Sequence, residues 1–327
     1  EILMACCPKS IIADILKARE DKGGIVNVYY VACGGSYAGL HPGKYFLQSE
    51  AKKVTVDHYT ANEFCHATPK ALGPNSIVIT QSHSGTTPET VKAAEIAQKA
   101  GAASVVITFD DQSPLAKNGD YVLKYEAKAT ADMTGMAFGL KLAVEILNQI
   151  EGYENYDEMM NGFDRIDGIV KHAKEFLTPR AKVFAEEYKD EKLIYMMGSG
   201  ANYNVAYSFA ICLLMEMQWV NSSAIHSGEY FHGPFEITDR ETPFIILMSE
   251  GRTRPLDQRA LDFLNRFAEK VIVLDAKELG LETIDDKVSE FFNPLLMGAA
   301  LGCYSYELSI ARKHPLSCRR YMWKLQY

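Results

Sequence analysis

Two stretches of the chain follow one pattern, and few folds accommodate it. Val26 to Cys33 reads Val-Asn-Val-Tyr-Tyr-Val-Ala-Cys and is closed by Gly34-Gly35-Ser36. Leu193 to Met197 is a second apolar run, closed by Gly198-Ser199-Gly200. A short apolar run without polar alternation, bounded by glycine, predicts a strand buried on both faces, as in parallel sheets. Helical stretches follow both turns, to Glu50 in the first case and over Asn204 to Met217 in the second. Strand, glycine turn and helix therefore occur twice, as expected of a duplication at domain scale.

The segments between extend the pattern. Further strands are expected at Lys53–Asp57, Ser76–Thr80, Ala103–Phe109, Tyr121–Tyr125, Phe244–Ser249 and Lys270–Asp275. Helices are expected at Ile11–Lys22, Glu89–Lys99, Thr130–Ile150, Pro255–Glu269 and Phe292–Lys313. Such alternation predicts an α/β fold of doubly wound parallel sheets with right-handed crossovers. Tyr153 to Lys189 is charged and helical without a strand. The expected organisation is a first domain over 1–152, a helical linker over 153–190 and a second domain over 191–327. At 327 residues the chain has room for two domains of roughly 150 residues each.

The formal charge is −8, which argues against nonspecific nucleic-acid binding, since that needs basic surface to displace counterions. No apolar run reaches the ~20 residues that span a bilayer. Glu1 to Lys9 lacks the basic start and long apolar stretch of a signal peptide. The seven cysteines (6, 7, 33, 65, 212, 303 and 318) are scattered and form no C-x-x-C. A reducing, cytoplasmic setting is the simpler expectation.

Chemistry concentrates in three places. Ser82-His83-Ser84-Gly85-Thr86-Thr87 lies between a strand and a helix opened by Pro88. Its four hydroxyls and backbone N–H groups gather where a helix carries partial positive charge, a setting suited to phosphate. Ordinary N-capping needs only one of them. The lysine of a nucleotide P-loop is missing. Gly34 and Gly35, with Ser36 as a donor, are expected to form a second wall of that pocket. They do not make the dinucleotide fingerprint.

The second place is Glu216, inside the apolar run Leu213-Leu214-Met215-Glu216-Met217. A carboxylate in such a run is costly unless it is paired or functional, and it suits general-base work. A solvated face of an amphipathic helix is the competing reading. The third is His232, in a loop held by Gly233 and Pro234, with Glu229 and Glu236 beside it to orient it or bind a substrate amine. A loop histidine bonded to backbone is its ordinary alternative. His226 nearby invites a zinc site, but the remaining ligands are missing, so no metal and no cofactor is expected. Lys324 in the tail has the chemistry of a Schiff-base lysine, against the commoner solvated terminal lysine.

These strings resemble the double sugar-isomerase-domain proteins over nearly the whole chain. The Ser82–Thr87 loop looks like that family's phosphate loop. Glu216 and His232 match the catalytic pair in the isomerase half of glucosamine-6-phosphate synthase. The resemblance is strongest to bacterial fructosamine-6-phosphate deglycases, through Val31–Ser36, Gly200–Tyr203, Leu214–Trp219, Gly228–Glu236 and the tail His314–Lys324. It implies a cytoplasmic homodimer or higher even oligomer acting on a sugar phosphate. In that dimer His232 serves the partner's Glu216, over a phosphate held by Ser36, Ser82, His83, Ser84 and Thr87, with Gly34, Gly35 and Glu229 also binding substrate. It implies deglycation, with an aldose–ketose or aminosugar phosphate isomerase as the alternative. A sugar-phosphate-sensing regulator would need a DNA-binding module that Glu1 to Gly24 is too short to supply. Lys324 matches the synthase's tail lysine, which deglycases need not keep.

Overall fold

The computed structural model describes residues 7–327, so Cys6 and most of the segment judged not to be a signal peptide lie outside it. The chain divides into two compact units, Glu1–Met160 and Asn161–Tyr327.

In the first unit, helix α1 (Pro8–Lys17) begins with proline at its first turn, where the missing N–H has no intrahelical partner to lose. A short 3-10 turn follows, and the segment ends at Gly23 with φ +87°. Next come β1 (Asn27–Ala32), α2 (Gly34–Glu50), β2 (Thr55–Thr60), α3 (Ala61–His66), β3 (Ser76–Ser82), α4 (Pro88–Lys99), β4 (Ala103–Thr108), β5 (Tyr121–Lys124) and α5 (Gly135–Glu151). The strands form one parallel sheet in the order β2-β1-β3-β4-β5. The central strands β1, β3 and β4 are buried at every position, which explains their apolar centres, with polar residues only toward their ends. The edge strand β2 mixes exposed and half-buried residues. Tyr29, Val31, Phe64, Val78, Ala93 and Ala97 make the core between sheet and helices on one face.

Helix α6 (Tyr156–Tyr188) runs through the division between the units. Beyond Asn161 it buries Phe163, Ile166, Val170, Leu177 and Phe184, and Arg165 donates to the carbonyl of Thr283. This stretch thus belongs to the second unit's packing.

The second unit continues with β6 (Tyr195–Gly198), α7 (Tyr203–Ser208), β7 (Ala224–His226), β8 (Phe244–Met248), α8 (Arg254–Phe267), β9 (Val271–Asp275) and α9 (Asn293–Ala311). Its sheet is parallel in the order β7-β6-β8-β9. With β6 in the place of β1, this is the first unit's order again without its last strand.

Two features depart from expectation. The stretch between Met217 and Gly228, where no strand was expected, contains β7. Its three residues are too short and too mixed to show a strand pattern, and it exists by pairing with β6. The helix expected over Asn204–Met217 changes at Phe209 into a π-helix over Phe209–Met217. The wider i→i+5 turn is rare and recurs at functional sites; here it carries Glu216. No helix among the described residues is long and apolar enough to cross a membrane.

Candidate active site

In the first unit, β1 and β3 are hydrogen-bonded neighbours, with Ala32 opposite Gln81. The strand order reverses between them, which makes their carboxyl ends the crevice where open α/β sheets take ligands. Gly34, Gly35 and Ser36 form the first turn of α2 at the end of β1. Gly34 has φ +56°, and the two glycines are exposed with Ser36 half-buried. Ser82 to Thr87 leaves the end of β3. The structure therefore brings the two expected walls to the ends of adjacent strands.

The hydroxyl loop is held by its own groups and by the N–H groups of Phe109 and Leu115, which donate to the carbonyls of His83 and Gly85. Ser82 Oγ accepts from the N–H of Gly85 at 3.1 Å and bonds Thr87 Oγ1 at 3.0 Å. Ser84 Oγ and Thr86 Oγ1 pair at 2.8 Å. Ser84 and Thr86 are exposed while Ser82 is buried. Gly85 has φ +66°, and a Cβ there would stand 2.0 Å from Ser113 Oγ, so only glycine fits. His83 is exposed, with Nδ1 bonded to Tyr125 OH at 2.9 Å and its ring stacked on Phe109 at 5.1 Å. Burial pushes the Tyr125 phenol up to about 12. Sequence reasoning missed Tyr125, since only the parallel sheet brings β5's end to this loop.

In the second unit, Glu216 is partly buried and paired. Its Oε1 lies 2.7 Å from Arg319 Nη2, with the two side chains 22% and 8% exposed. Arg319 Nη1 donates to the carbonyls of Leu316 at 2.7 Å and Cys318 at 2.8 Å. The tail is thus wound around one guanidinium, and that guanidinium faces Glu216. A cavity of about 760 Å³ opens beside the pair, with Met215, Trp219, Arg320 and Tyr321 among its walls. Lys324 Nζ donates to the carbonyl of Arg319 at 2.5 Å, and no described contact joins it to Glu216. A lysine so placed braces the turn that carries Arg319.

Trp219 and Trp323 are the two tryptophans of the chain, and both adopt left-handed backbone, at φ +56° and +61°. That conformation is strained for a bulky side chain and tends to persist where function needs it. Each indole meets a guanidinium: Arg320 lies 4.4 Å from the Trp219 ring and Arg319 lies 5.1 Å from the Trp323 ring.

His232 lies in the turn that follows β7. Its backbone N–H donates to the carbonyl of Glu229 at 2.9 Å, and both side chains are exposed. The turn stands on an apolar base: Tyr230 is fully buried among Phe244, Ile246, Ala260 and Leu264. Its hydroxyl pairs with Thr238 at 2.5 Å. A rigid base of this kind presents His232 outward. No described contact joins His232 to Glu216 within one chain. His226, weighed as a zinc ligand, accepts from the N–H of Gly228 through Nδ1 at 3.0 Å and packs against Tyr203. It stabilises the turn after β7. Glu236 is exposed beside the loop.

The SIS domain model matches residues 26–149 and 187–280, one segment in each unit. The chain belongs to the SIS-domain family. Fructosamine deglycase FrlB of Bacillus subtilis (strain 168) is 45% identical over 93% of this chain and 93% of its own. Fructoselysine 6-phosphate deglycase of Escherichia coli (strain K12) is 26% identical over 95% of this chain and 88% of its own. A crystal structure from Salmonella typhimurium LT2 superposes with a TM-score of 0.95 at 46% identity, covering 99% of this chain and 98% of that one. The two parallel sheets with matching strand order are thus a pair of SIS folds.

Proposed function

We propose that this SIS protein is a deglycase of fructosamine 6-phosphates, which are amines or amino acids linked to C1 of fructose 6-phosphate. The observation that carries the reading is the 45% identity to fructosamine deglycase FrlB along 93% of both chains. The exposed hydroxyl loop and the held carboxylate of Glu216 are groups such a reaction needs.

Ser36, Ser82, His83, Ser84 and Thr87 hold the phosphate, with Gly34 and Gly35 allowing close backbone approach. His232 moves a proton at the ring oxygen as the sugar opens, and Glu229 orients the substrate beside it. Glu216 then takes a proton from C1 and returns one at C2. The electron pair passes through an enaminol, so the ketoamine becomes the imine of glucose 6-phosphate. Water adds to the imine, and the C–N bond breaks to give glucose 6-phosphate and free amine. The substrate's own nitrogen and carbonyl accept the electrons, and the overall change is hydrolysis without a redox step. Arg319 occupies Glu216 Oε1 and leaves Oε2 for the proton.

No described contact joins Glu216 and His232 within one chain, which supports a homodimer in which His232 completes the partner's site. A phosphorylated substrate fits the cytoplasmic setting expected from the cysteines.

Glu216→Gln is the direct test. It is expected to lower glucose 6-phosphate release from a fructosamine 6-phosphate by about 10³-fold, with binding of the sugar phosphate retained. Turnover near that of the unaltered protein would remove Glu216 from the reaction. Mixing Glu216→Gln with His232→Ala is expected to restore part of the activity through hybrid dimers. Absence of rescue, with mixed dimers shown to form, would remove the shared site. Interconversion of free sugar phosphates without release of amine from the adduct would favour the isomerase alternative.

A further inference from the structure

The cavity beside Glu216 carries more positive charge than the proton transfer uses. Among its lining side chains are one carboxylate, Glu216, and two guanidinium groups, Arg319 and Arg320. The first guanidinium is spent on the carboxylate at 2.7 Å. Arg320 is exposed, and its one described side-chain contact is the face of Trp219 at 4.4 Å. Counted over side chains, this leaves one positive charge in the wall, on a chain whose formal charge is −8. Stacking on an indole fixes the plane of a guanidinium while leaving its N–H edge free, and that edge matches a carboxylate in two-point geometry. The indole is itself held in strained backbone at φ +56°, so the pair is placed with some rigidity.

We infer that Arg320, stacked on Trp219, binds the α-carboxylate of the amino-acid part of the substrate, so that this SIS protein selects amino-acid adducts over adducts of neutral amines. The inference rests on the deglycase reading and adds the chemical class of the released amine. Glu216 acts at C1 and C2 of the sugar, and the amine nitrogen is bonded to C1. In a glycated amino acid the carboxylate lies one carbon beyond that nitrogen. A cation in the wall of the cavity that Glu216 also lines is suitably situated for that group. The alternative anion on the same substrate is its phosphate, and a pair of substrates separates the two. The glycine adduct and the glycinamide adduct of fructose 6-phosphate share the phosphate and nearly the same shape, and differ in the carboxylate charge.

The experiment measures kcat/KM for both adducts with the full-length protein and with Arg320→Gln and Arg320→Lys. The unaltered protein is expected to prefer the glycine adduct by at least about tenfold. Arg320→Gln is expected to lose about 30-fold on glycine, the order for one charge-assisted hydrogen bond, and under threefold on glycinamide. Arg320→Lys is expected to recover part of the preference. Equal losses on both adducts in Arg320→Gln would overturn the inference and assign Arg320 to the phosphate or to tail packing. Equal turnover of both adducts by the unaltered protein would also overturn it and leave the deglycase reading standing. No turnover of either adduct would sink the deglycase reading, and the inference with it.

Discussion

The two units share a strand order, yet they use the loop after the third-position strand for opposite purposes. Ser82–Pro88 after β3 aligns end to end with Ser249–Pro255 after β8. Each has serine first, proline last and a glycine at positive φ, Gly85 at +66° and Gly251 at +102°. A Cβ on Gly251 would stand 2.3 Å from Glu290 Cβ, as one on Gly85 would press on Ser113. In the first loop the hydroxyls of Ser82, Ser84, Thr86 and Thr87 bond one another, and two of them face solvent. The second is filled by protein. Asp257 accepts from Ser227 Oγ at 2.7 Å and from the N–H of Ser249 at 2.9 Å. Asn293 accepts from the N–H of Glu250 at 2.9 Å and donates to its carbonyl at 2.7 Å. Arg254 forms a two-point pair with Asp275 at 2.8 and 2.7 Å. The two aligned loops thus differ in what meets their donors, and in the second internal acceptors take them up.

The largest expected difference lies at an aligned pair beneath the loops, Thr90 and Asp257. Thr90 Oγ1 points at Cys33 Sγ at 3.8 Å, a weak contact. Asp257 is fully buried, and burial pushes its carboxyl up while the bonds from Ser227 and Ser249 pull the other way. Asp257→Ala would leave buried donors unmet and is expected to lower stability by about 4 kcal/mol, with Thr90→Ala near 1 kcal/mol. Both tryptophans lie in the second unit, so indole emission in a urea titration reads Asp257→Ala, and hydrogen exchange of first-unit amides in the same titration reads Thr90→Ala. Equal effects at the two positions would end the claim that the loops differ in how they are supported.

Acid should separate the units next. His58 on β2 is stacked on Tyr37 at 3.8 Å, with His41 at 6.0 Å. Burial first, and the Lys44 charge second, push its imidazole down to about 3 from an ordinary 6.5. The folded value lies below the unfolded one. Above pH 6.5 neither state binds this proton and stability is unaffected; as pH falls from 6.5 towards 3, only the unfolded chain binds it and stability is lost. The loss is about 3 kcal/mol by pH 4. Hydrogen exchange of first-unit amides at pH 7 and pH 4.5 should show it, and His58→Phe should remove much of the difference. An unchanged acid response in His58→Phe would place the sensitivity elsewhere.

The loops themselves come third. Thr87 aligns with Arg254. Burial raises the Asp275 carboxyl, but bonds from Arg254 and from the Lys277 N–H outweigh it and hold the group below its usual range. Both members of the pair are partly exposed, so Arg254→Ala is expected to cost about 2 kcal/mol and to leave KM unchanged. Thr87→Ala should do the reverse, raising KM about tenfold with little change in stability. A stability loss in Thr87→Ala without a KM effect would erase the contrast.

Much of this was legible in the sequence, for a local reason. Buried parallel strands have apolar centres without alternation, and β1, β3, β4 and β8 stand out because neighbours on both sides cover them. The hydroxyl loop is also local, since its donors are adjacent in the chain. What stayed hidden depends on distant partners. β7 exists by pairing with β6. The π-turn at Phe209–Met217 has no distinct residue pattern. Glu216 could be seen as an anomaly in an apolar run, but its partner Arg319 lies beyond the rest of the second sheet, and Arg319-Arg320 reads from sequence as a solvated pair. A signal was present: the two tryptophans stand near Glu216 and near those arginines, and a large indole beside an arginine is a common stacking pair.

The smallest expected effect tests how the exposed loop is kept in place. His83 aligns with Glu250. In the second unit Asn293 fixes this position through its backbone; in the first the His83 carbonyl accepts from the Phe109 N–H at 3.3 Å and the side chain is held as well, by the Tyr125 hydroxyl at 2.9 Å and the Phe109 ring. With the phenol held up to about 12 by burial, Tyr125 stays protonated at neutral pH and acts as a steady hydrogen-bond partner. Tyr125→Phe keeps the ring and removes the anchor. His83 should then sample more orientations before it meets the phosphate, raising KM about threefold, the scale of part of one neutral hydrogen bond, with kcat unchanged. A fall in kcat at constant KM would mean that Tyr125 reaches the reacting carbons, and the first unit's loop would then be more than a phosphate cradle.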